Sequence, residues 1–265
     1  MAARFPVSAT SVAYQIKAAW ASKIHVVYWP AGADSLHRLR TGETVTTIIT
    51  RATSGATYNA TEGRLEGTST VYFRDSIAGG YGALTEEGPW AAGGSAWGDL
   101  FDGVSAPGKA LIASADVSIG DYIGGFYINA KGPYLKISSA ASYLDQNYPF
   151  AENNNSLSAF AIRYHATDDV SKRLRTWADN VERTNNYHLV SNTNLIGSPA
   201  RELYLGGSNS SAGKANMHPE CMWFGAGTLT NAEMALLSVD PSQMIEASGG
   251  GGSSPVSKII QQMGL

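Results

Sequence analysis

The 265-residue chain carries 43% hydrophobic but only 15% charged side chains, with 29 glycines, whereas an average domain carries roughly 25% charge. Such a balance describes one sizeable soluble body, all-β and rich in turns. A net charge of −3 lacks the basic footprint of a nucleic-acid binder, no apolar run approaches the roughly 18 residues of a membrane helix, and the single Cys221 excludes an internal disulfide or thiolate metal cluster.

Residues 1–23 read as an N-terminal arm. Arg4, Lys17 and Lys23 interrupt its apolar stretches, so no signal peptide is expected and synthesis falls to a reducing cytoplasm. Within it, Ser8 to Lys23 suggests a short helix or an ordered arm. Val12, Ile16 and Trp20 recur at intervals of four, one helical face. That stripe either packs on its own body or reaches a neighbouring subunit.

Strand signals begin at Ile24. Ile24–Trp29, Thr44–Thr50 and Thr68–Arg74 are short β-branched and aromatic runs punctuated by Pro and Gly. Further candidates are Ala110–Ile119, Tyr122–Ile128, Pro133–Ser138, Leu157–His165, Lys172–Ala178, Asn186–Val190, Glu202–Leu205 and Glu220–Phe224. In the Leu157 run, Phe160, Ile162 and Tyr164 alternate with Ala159, Ala161 and Arg163, as a half-buried strand requires. Asp168-Asp169 and Asp179-Asn180 fall at turns. About eleven strands with almost no intervening helix predict two packed antiparallel sheets. A parallel sheet would need crossover helices, and none is evident.

Between them lies a different stretch. Ala78 to Gly108 is very rich in Gly, contains Pro89 and Pro107, and carries Tyr81, Trp90, Trp97 and Phe101. It reads as an extended loop or hairpin arm. Tyr81, Trp90 and Trp97 are its candidates for stacking on a sugar ring or filling a partner's pocket, because aromatics combine large apolar area with a polar edge. The competing reading is that they pin the loop onto the sandwich.

One helix is strongly signalled, over Asn231–Val239. Thr230 suits the N-cap and Glu233 the third helical position, the reciprocal capping box. Leu229 and Met234 supply the hydrophobic staple, and Pro241 stops the helix.

The order of these elements carries a resemblance. An alternating strand (Leu157–His165), a basic strand (Lys172–Ala178) and Leu203-Tyr-Leu-Gly-Gly207 are followed by strand Glu220–Phe224 and the segment Thr228-Leu-Thr-Asn-Ala-Glu-Met-Ala-Leu-Leu237. Together they resemble the C-terminal half of a concanavalin-A-like, laminin-G-like jelly roll. Ser238-Val-Asp-Pro-Ser-Gln-Met244 resembles versions encoded in tailed-bacteriophage genomes. The match is good over Leu157–Met244 and rests on strand pattern alone over Ile24–Ser138. It implies an all-β, two-sheet antiparallel jelly-roll sandwich over 24–247, with the N-terminal helix or arm and one short C-terminal helix. That fold hosts lectins, glycosidases and virion modules alike.

Reactive chemistry is hard to find. Glycosidases of the resembled fold carry E-x-D-x-E or E-x-D-x-x-E on one strand, placing two carboxylates on one face as retaining hydrolysis requires. Here Glu62 and Glu66 flank Gly63, and Glu86-Glu87 are adjacent in the Gly-rich stretch. His218-Pro-Glu220-Cys221 has the H-x-E of zinc deaminases without their P-C-x-x-C, and reads as a loop entering a strand that buries Cys221. No phosphate loop and no G-x-S-x-G elbow is present. The resemblance implies a rim calcium site, for which Asp99, Asp102, Asp168 and Asp169 are available without dense spacing. The expectation is no catalytic residue and no cofactor, with calcium the one open option. Asn59-Ala-Thr61, Asn154-Asn-Ser156 and Asn209-Ser-Ser211 fit the glycosylation pattern as loop composition would.

The C-terminal segment is distinctive. Residues 248–254 are seven Gly and Ser, a flexible linker reaching roughly 15 Å. In 255–265, Val256, Ile259, Ile260 and Met263 share one helical face, followed by Leu265. Isolated helices shorter than roughly 12–15 residues are marginal in water, so this tail is expected to dock, on its own subunit, a sister subunit or a larger assembly. Val12, Ile16, Trp20, Val256, Ile259, Ile260, Met263 and Leu265 are the proposed anchors. The resulting expectation is a non-enzymatic structural or decoration protein on the surface of a tailed-phage virion. It would be made in the host cytoplasm, contact capsid or tail subunits, and assemble as a homo-oligomer such as a trimer. Cell-surface glycans are its expected outward ligands, with neither nucleic acid nor membrane as partner. A stand-alone carbohydrate-binding module is the first alternative, and a glycoside hydrolase of the same fold the second.

Overall fold

The computed structural model describes residues 4–6, 13–33, 35–48, 57–66, 73–75, 90–97, 109–115, 122–129, 132–136, 143–146, 157–165, 174–183, 187–189, 202–205 and 218–248. In chain order the strands are β1 (Tyr14–Ile16), β2 (Ile24–Gly32), β3 (Ser35–Arg40), β4 (Thr46–Ile48), β5 (Thr57–Asn59), β6 (Arg64–Glu66) and β7 (Phe73–Asp75). They continue as β8 (Trp90–Trp97), β9 (Lys109–Ala115), β10 (Tyr122–Asn129), β11 (Gly132–Lys136), β12 (Tyr143–Gln146), β13 (Leu157–Tyr164) and β14 (Leu174–Ala178). The last are β15 (Val181–Arg183), β16 (Tyr187–Leu189), β17 (Glu202–Leu205), β18 (His218–Ala226) and β19 (Ile245–Ala247), with helix α1 at Asn231–Leu237.

Two antiparallel sheets dominate. One orders eight strands as β15-β14-β13-β8-β18-β2-β3-β4, the other seven as β16-β12-β11-β10-β9-β17-β7. Two ribbons, β1-β19 and β5-β6, complete the set. The chain is thus an all-β sandwich with one short helix, as the strand spacing predicted. Each strand expected from the sequence overlaps a strand among the described residues. Over its described residues 13–23 the N-terminal arm is β1 followed by turns through Lys23 rather than a helix. Its β1 pairs with β19, Ile16 opposite Ile245. Spacing by four was there, but β1 gains a ladder from the far end of the chain that helical periodicity cannot reveal.

The described core lies on the eight-stranded sheet. On one face Val27, Trp29, Leu39, Ala91, Ala161, Trp177, Cys221 and Trp223 cluster with Leu229, Met234 and Leu237 of the helix segment and with Phe5, Ile16 and Trp20 of the arm. Alternate residues Val26, Tyr28, Leu36, Ala92, Phe160, Ile162, Met222 and Phe224 are buried as well. A strand buried on both faces reads as a continuous apolar run, which accounts for Val26-Val-Tyr-Trp29 in β2.

Within the stretch 78–108 read as an extended loop or hairpin arm, strand β8 corrects the expectation over 90–97; the rest of the stretch lies outside the described residues. Strand β8 runs as Trp-Ala-Ala-Gly-Gly-Ser-Ala-Trp between β13 and β18 at the middle of the sheet. Its glycines are sites of close approach: a Cβ on Gly93 would lie 2.4 Å from the Phe160 carbonyl oxygen and 2.7 Å from the Trp223 ring. Propensity scores such a segment as loop, and packing overrides it.

Helix α1 starts and is capped as read, and ends at Leu237 rather than Val239. The Thr230 hydroxyl accepts from the Glu233 amide at 3.3 Å, and the Thr230 amide donates to Glu233 Oε2 at 2.8 Å. Leu229 and Met234 are both buried, closing the staple. Asp179 and Asn180 both adopt positive φ, 53° and 64°, between Ala178 and its partner Val181. That is the two-residue hairpin whose twist suits its strands.

Candidate functional site

The densest polar cluster sits where β18 bulges between Pro219 and Cys221, a point where a sheet-interior proline is tolerated. Glu220 is 2% exposed. Arg4 donates to it through Nε, at 3.1 Å to each carboxylate oxygen, and through Nη2 at 2.6 Å to Oε2. Ser95 of β8 adds a hydroxyl donor at 2.7 Å to Oε2. Arg4 Nη1 continues to the Val239 carbonyl at 2.6 Å and lies 3.9 Å from Asp240 Oδ1. Burial alone would lower the Arg4 pKa, but the hydrogen bond and charge of Glu220 outweigh it and the net shift is upward. Asp240 is held below the usual carboxylate range: burial would raise it, and bonds from Gln243 and Ser242 with the nearby Arg4 charge prevail. With its donors already in place, this cluster clasps the N-terminal segment to β8, β18 and the end of α1.

Cys221 beside it is fully buried. Burial pushes its thiol well above the ordinary range, so it stays protonated and unreactive. The His218-Pro-Glu220-Cys221 stretch, read as a loop entering a strand that buries Cys221, lies entirely within β18, and Cys221 is buried there. Among the described residues no group of three or more His, Cys, Asp or Glu side chains is placed to hold a metal. Asp99, Asp102, Asp168 and Asp169 lie outside the described residues.

A second cluster is aromatic. Trp29 stacks on Phe5 with ring centroids 6.0 Å apart and tilts against His37 at 5.2 Å. Its indole donates to the Pro6 carbonyl at 3.2 Å. His37 is 6% exposed and its Nδ1 is buried without a hydrogen-bond partner. A third cluster is cationic. The guanidiniums of Arg163 and Arg175, directly paired across β13 and β14, lie 5.3 Å and 5.2 Å from the buried Trp177 ring. Arg163 also donates to the Leu229 carbonyl at 2.7 Å and Asn231 Oδ1 at 3.0 Å, and Arg175 pairs with Glu182. These contacts dock α1 on the sheet.

The anticipated sites fare unevenly. Ile16 and Trp20 are each 7% exposed, packed in their own body. As docking anchors they are corrected, because their apolar surface is already covered. Trp90 opens β8 and is 3% exposed, so it too is corrected: no sugar can stack on it. Trp97 ends β8 opposite Leu157 and His218. Val12, Tyr81, Val256, Ile259, Ile260, Met263 and Leu265 lie outside the described residues. Of the carboxylates, Glu62 sits in the β5–β6 turn paired with Arg64 at 2.7 Å, Glu66 stands on β6, and Glu86-Glu87 lie outside. Arg4, Glu220, Ser95 and His37 were missed. The Arg4–Glu220 pair is 216 residues apart, and no local pattern signals so distant a contact.

No family model matches the chain. No curated protein is significantly similar to it. Among solved structures it is similar to a Trypanosoma rangeli sialidase in complex with sialic acid, at TM-score 0.50 and 9% identity, over 84% of this chain and 34% of that one. It is also similar to an α-L-arabinofuranosidase (TM-score 0.43, 10% identity, 94% of this chain and 65% of that one). A third is a carbohydrate esterase from a Shiga toxin-encoding bacteriophage (0.34, 11%, 66% and 89%). The chain spans about a third of the sialidase. At such identity the likeness is one of fold.

It nevertheless corrects one expectation. The chain was read as non-enzymatic because E-x-D-x-E spacing is absent, yet its fold is similar to part of a glycan-cleaving enzyme. A spacing test covers only carboxylates on one strand, and catalytic groups assembled from distant strands escape it. What the chain shares with these proteins is a β-sandwich architecture.

Proposed function

We propose that the protein is directed at carbohydrate, binding or processing glycans with its β-sandwich. The observation that supports this is the fold similarity, over most of the chain, to part of a sialidase solved with sialic acid. The aromatics proposed to contact glycan are Tyr81 and Trp97. The test is a glycan array with a parallel turnover screen, both including sialosides and arabinofuranosides. Saturable binding or product release, reduced about tenfold or more by Tyr81→Ala or Trp97→Ala, is the expected result, since losing one stacking aromatic costs about 1.4 kcal/mol or more. Binding without turnover identifies a recognition module, and turnover a hydrolase. Neither activity on any glycan overturns the reading.

The setting we propose is a tailed-phage virion, on the strength of the resemblance over 238–244 and the tethered stripe of 255–265. Many displayed copies would raise effective concentration, so weak contacts per site suffice. Deleting Pro255–Leu265 is expected to leave the body folded and abolish incorporation into particles; unchanged incorporation refutes the docking role.

A further inference from the structure

The N-terminal residues Arg4, Phe5 and Pro6 form a short strap across the face of β2 and β3. One end is the Arg4 clasp on Glu220 and the Val239 carbonyl. The other is Phe5 and Pro6 against Trp29, one through ring stacking and one by accepting the indole hydrogen bond. Beneath Trp29 sits His37, paired with it across the β2–β3 ladder. We propose that protonation of His37 opens this strap, making residues 4–6 an acid-released latch over Trp29.

The argument is one of missing compensation. An imidazolium has two donors to satisfy, and its cost in an apolar site is offset only by acceptors or negative charge. His37 Nδ1 is buried and has no partner. Among the described residues no Asp or Glu occurs on the four strands beside it: β1 is Tyr-Gln-Ile, β2 Ile-His-Val-Val-Tyr-Trp-Pro-Ala-Gly, β3 Ser-Leu-His-Arg-Leu-Arg and β4 Thr-Thr-Ile. Of the carboxylates nearby in the chain, Glu43 after β3 pairs with Arg40, and Glu62 and Glu66 belong to the β5–β6 ribbon that packs on β2, Glu62 paired with Arg64. Across the β3–β4 ladder His37 meets Thr47. The titratable groups on these four strands are Tyr14, His25, Tyr28, Arg38 and Arg40, and the strap adds Arg4; none offers a carboxylate. Strand alternation sends Tyr28, Arg38 and Arg40 to the opposite face. Glu220, the nearest carboxylate along the strap, is committed to Arg4 and Ser95.

The direction follows by linkage. Burial lowers the His37 pKa from 6.5 in the closed form, while an opened strap returns the ring toward that value. The closed form therefore binds fewer protons. Its advantage is complete above about pH 6.5 and is lost as pH falls through the lower value. Opening would uncover Trp29, an aromatic face in a fold otherwise closed by the arm.

The experiment follows hydrogen exchange of the Trp29 indole N–H in the full chain by NMR, corrected for the intrinsic pH dependence of exchange. Between about pH 7.5 and about pH 5, exchange is expected to accelerate severalfold as the advantage of the closed form is lost. In His37→Phe the acceleration should vanish. In Arg4→Gln exchange should be faster at both pH values, with the acid dependence retained. Acid-independent exchange in the parent protein, or undiminished acid acceleration in His37→Phe, overturns the proposal. Should His37→Phe fail to fold, the ring titration of His37 decides: a midpoint below 6.5 coinciding with the loss of Trp29 protection supports the latch, and separated midpoints refute it.

Discussion

Helix α1 and strand β8 flank the same core and are specified in opposite ways. The helix is written locally: its cap, third residue and staple lie within Leu229–Met234, and the Thr230–Glu233 capping box is closed in both directions. Strand β8 contradicts its own composition. Trp-Ala-Ala-Gly-Gly-Ser-Ala-Trp has weak strand propensity, yet it occupies the middle of the eight-stranded sheet because β13 and β18 approach too closely for side chains at Gly93 and Gly94. The first kind of element tolerates loss of one local signal. The second depends on space that only its neighbours define.

Substitution of Gly93 should break that contrast most sharply. Gly93→Val places atoms where Phe160 and Trp223 already stand, and overpacking of a core costs typically about 1–3 kcal/mol and occasionally more. Backbone cannot yield as a flexible side chain does, so the upper end is expected. Urea unfolding should show a lower midpoint with unchanged slope, and a midpoint like that of the parent protein would mean that β8 is not so tightly held.

The Arg4–Glu220 clasp offers a middle case, a contact with no local signal but with conventional chemistry. Glu220→Gln leaves Arg4 with only the more distant Asp240 as counter-charge at a half-buried site. Removing one partner of a fully buried pair costs about 3–5 kcal/mol; Arg4 keeps some solvent access, so about 2 kcal/mol is the expectation. A double-mutant cycle with Arg4→Met should recover a coupling of about 1 kcal/mol or more. Additive effects would show that the clasp is an accidental neighbour pair.

The smallest effect belongs to the locally written element. Thr230→Ala removes one cap acceptor and should cost about 1 kcal/mol, with Thr230→Ser close to neutral. Thermal melts on both variants test this. A larger loss would mean that α1, too, is held chiefly by its docking.

Much of the sandwich was legible because strands buried on one or both faces repeat a short pattern of apolar and β-branched residues, as β2 and β13 do. Asp179-Asn180 was legible for a similar reason, since few residues accept the conformation its turn requires. Little of the polar network could be read. Arg4, Ser95 and Glu220 come from three distant segments, His37 lies in a strand whose Arg-rich alternation masks it, and Trp90 looked like a surface aromatic within a Gly-rich run. The exclusion of catalysis was likewise a test of neighbours in sequence, applied to a fold that gathers its groups across sheets.

From composition and periodicity alone came an all-β, antiparallel body with one capped helix, because turn chemistry, capping and strand alternation act over a few residues. Tertiary structure decided the rest: which glycine run becomes a central strand, which aromatic is buried, and which arginine meets which glutamate. Those outcomes depend on close packing and on charge pairing across long chain separations, where the energy resides in contacts that adjacent residues do not encode.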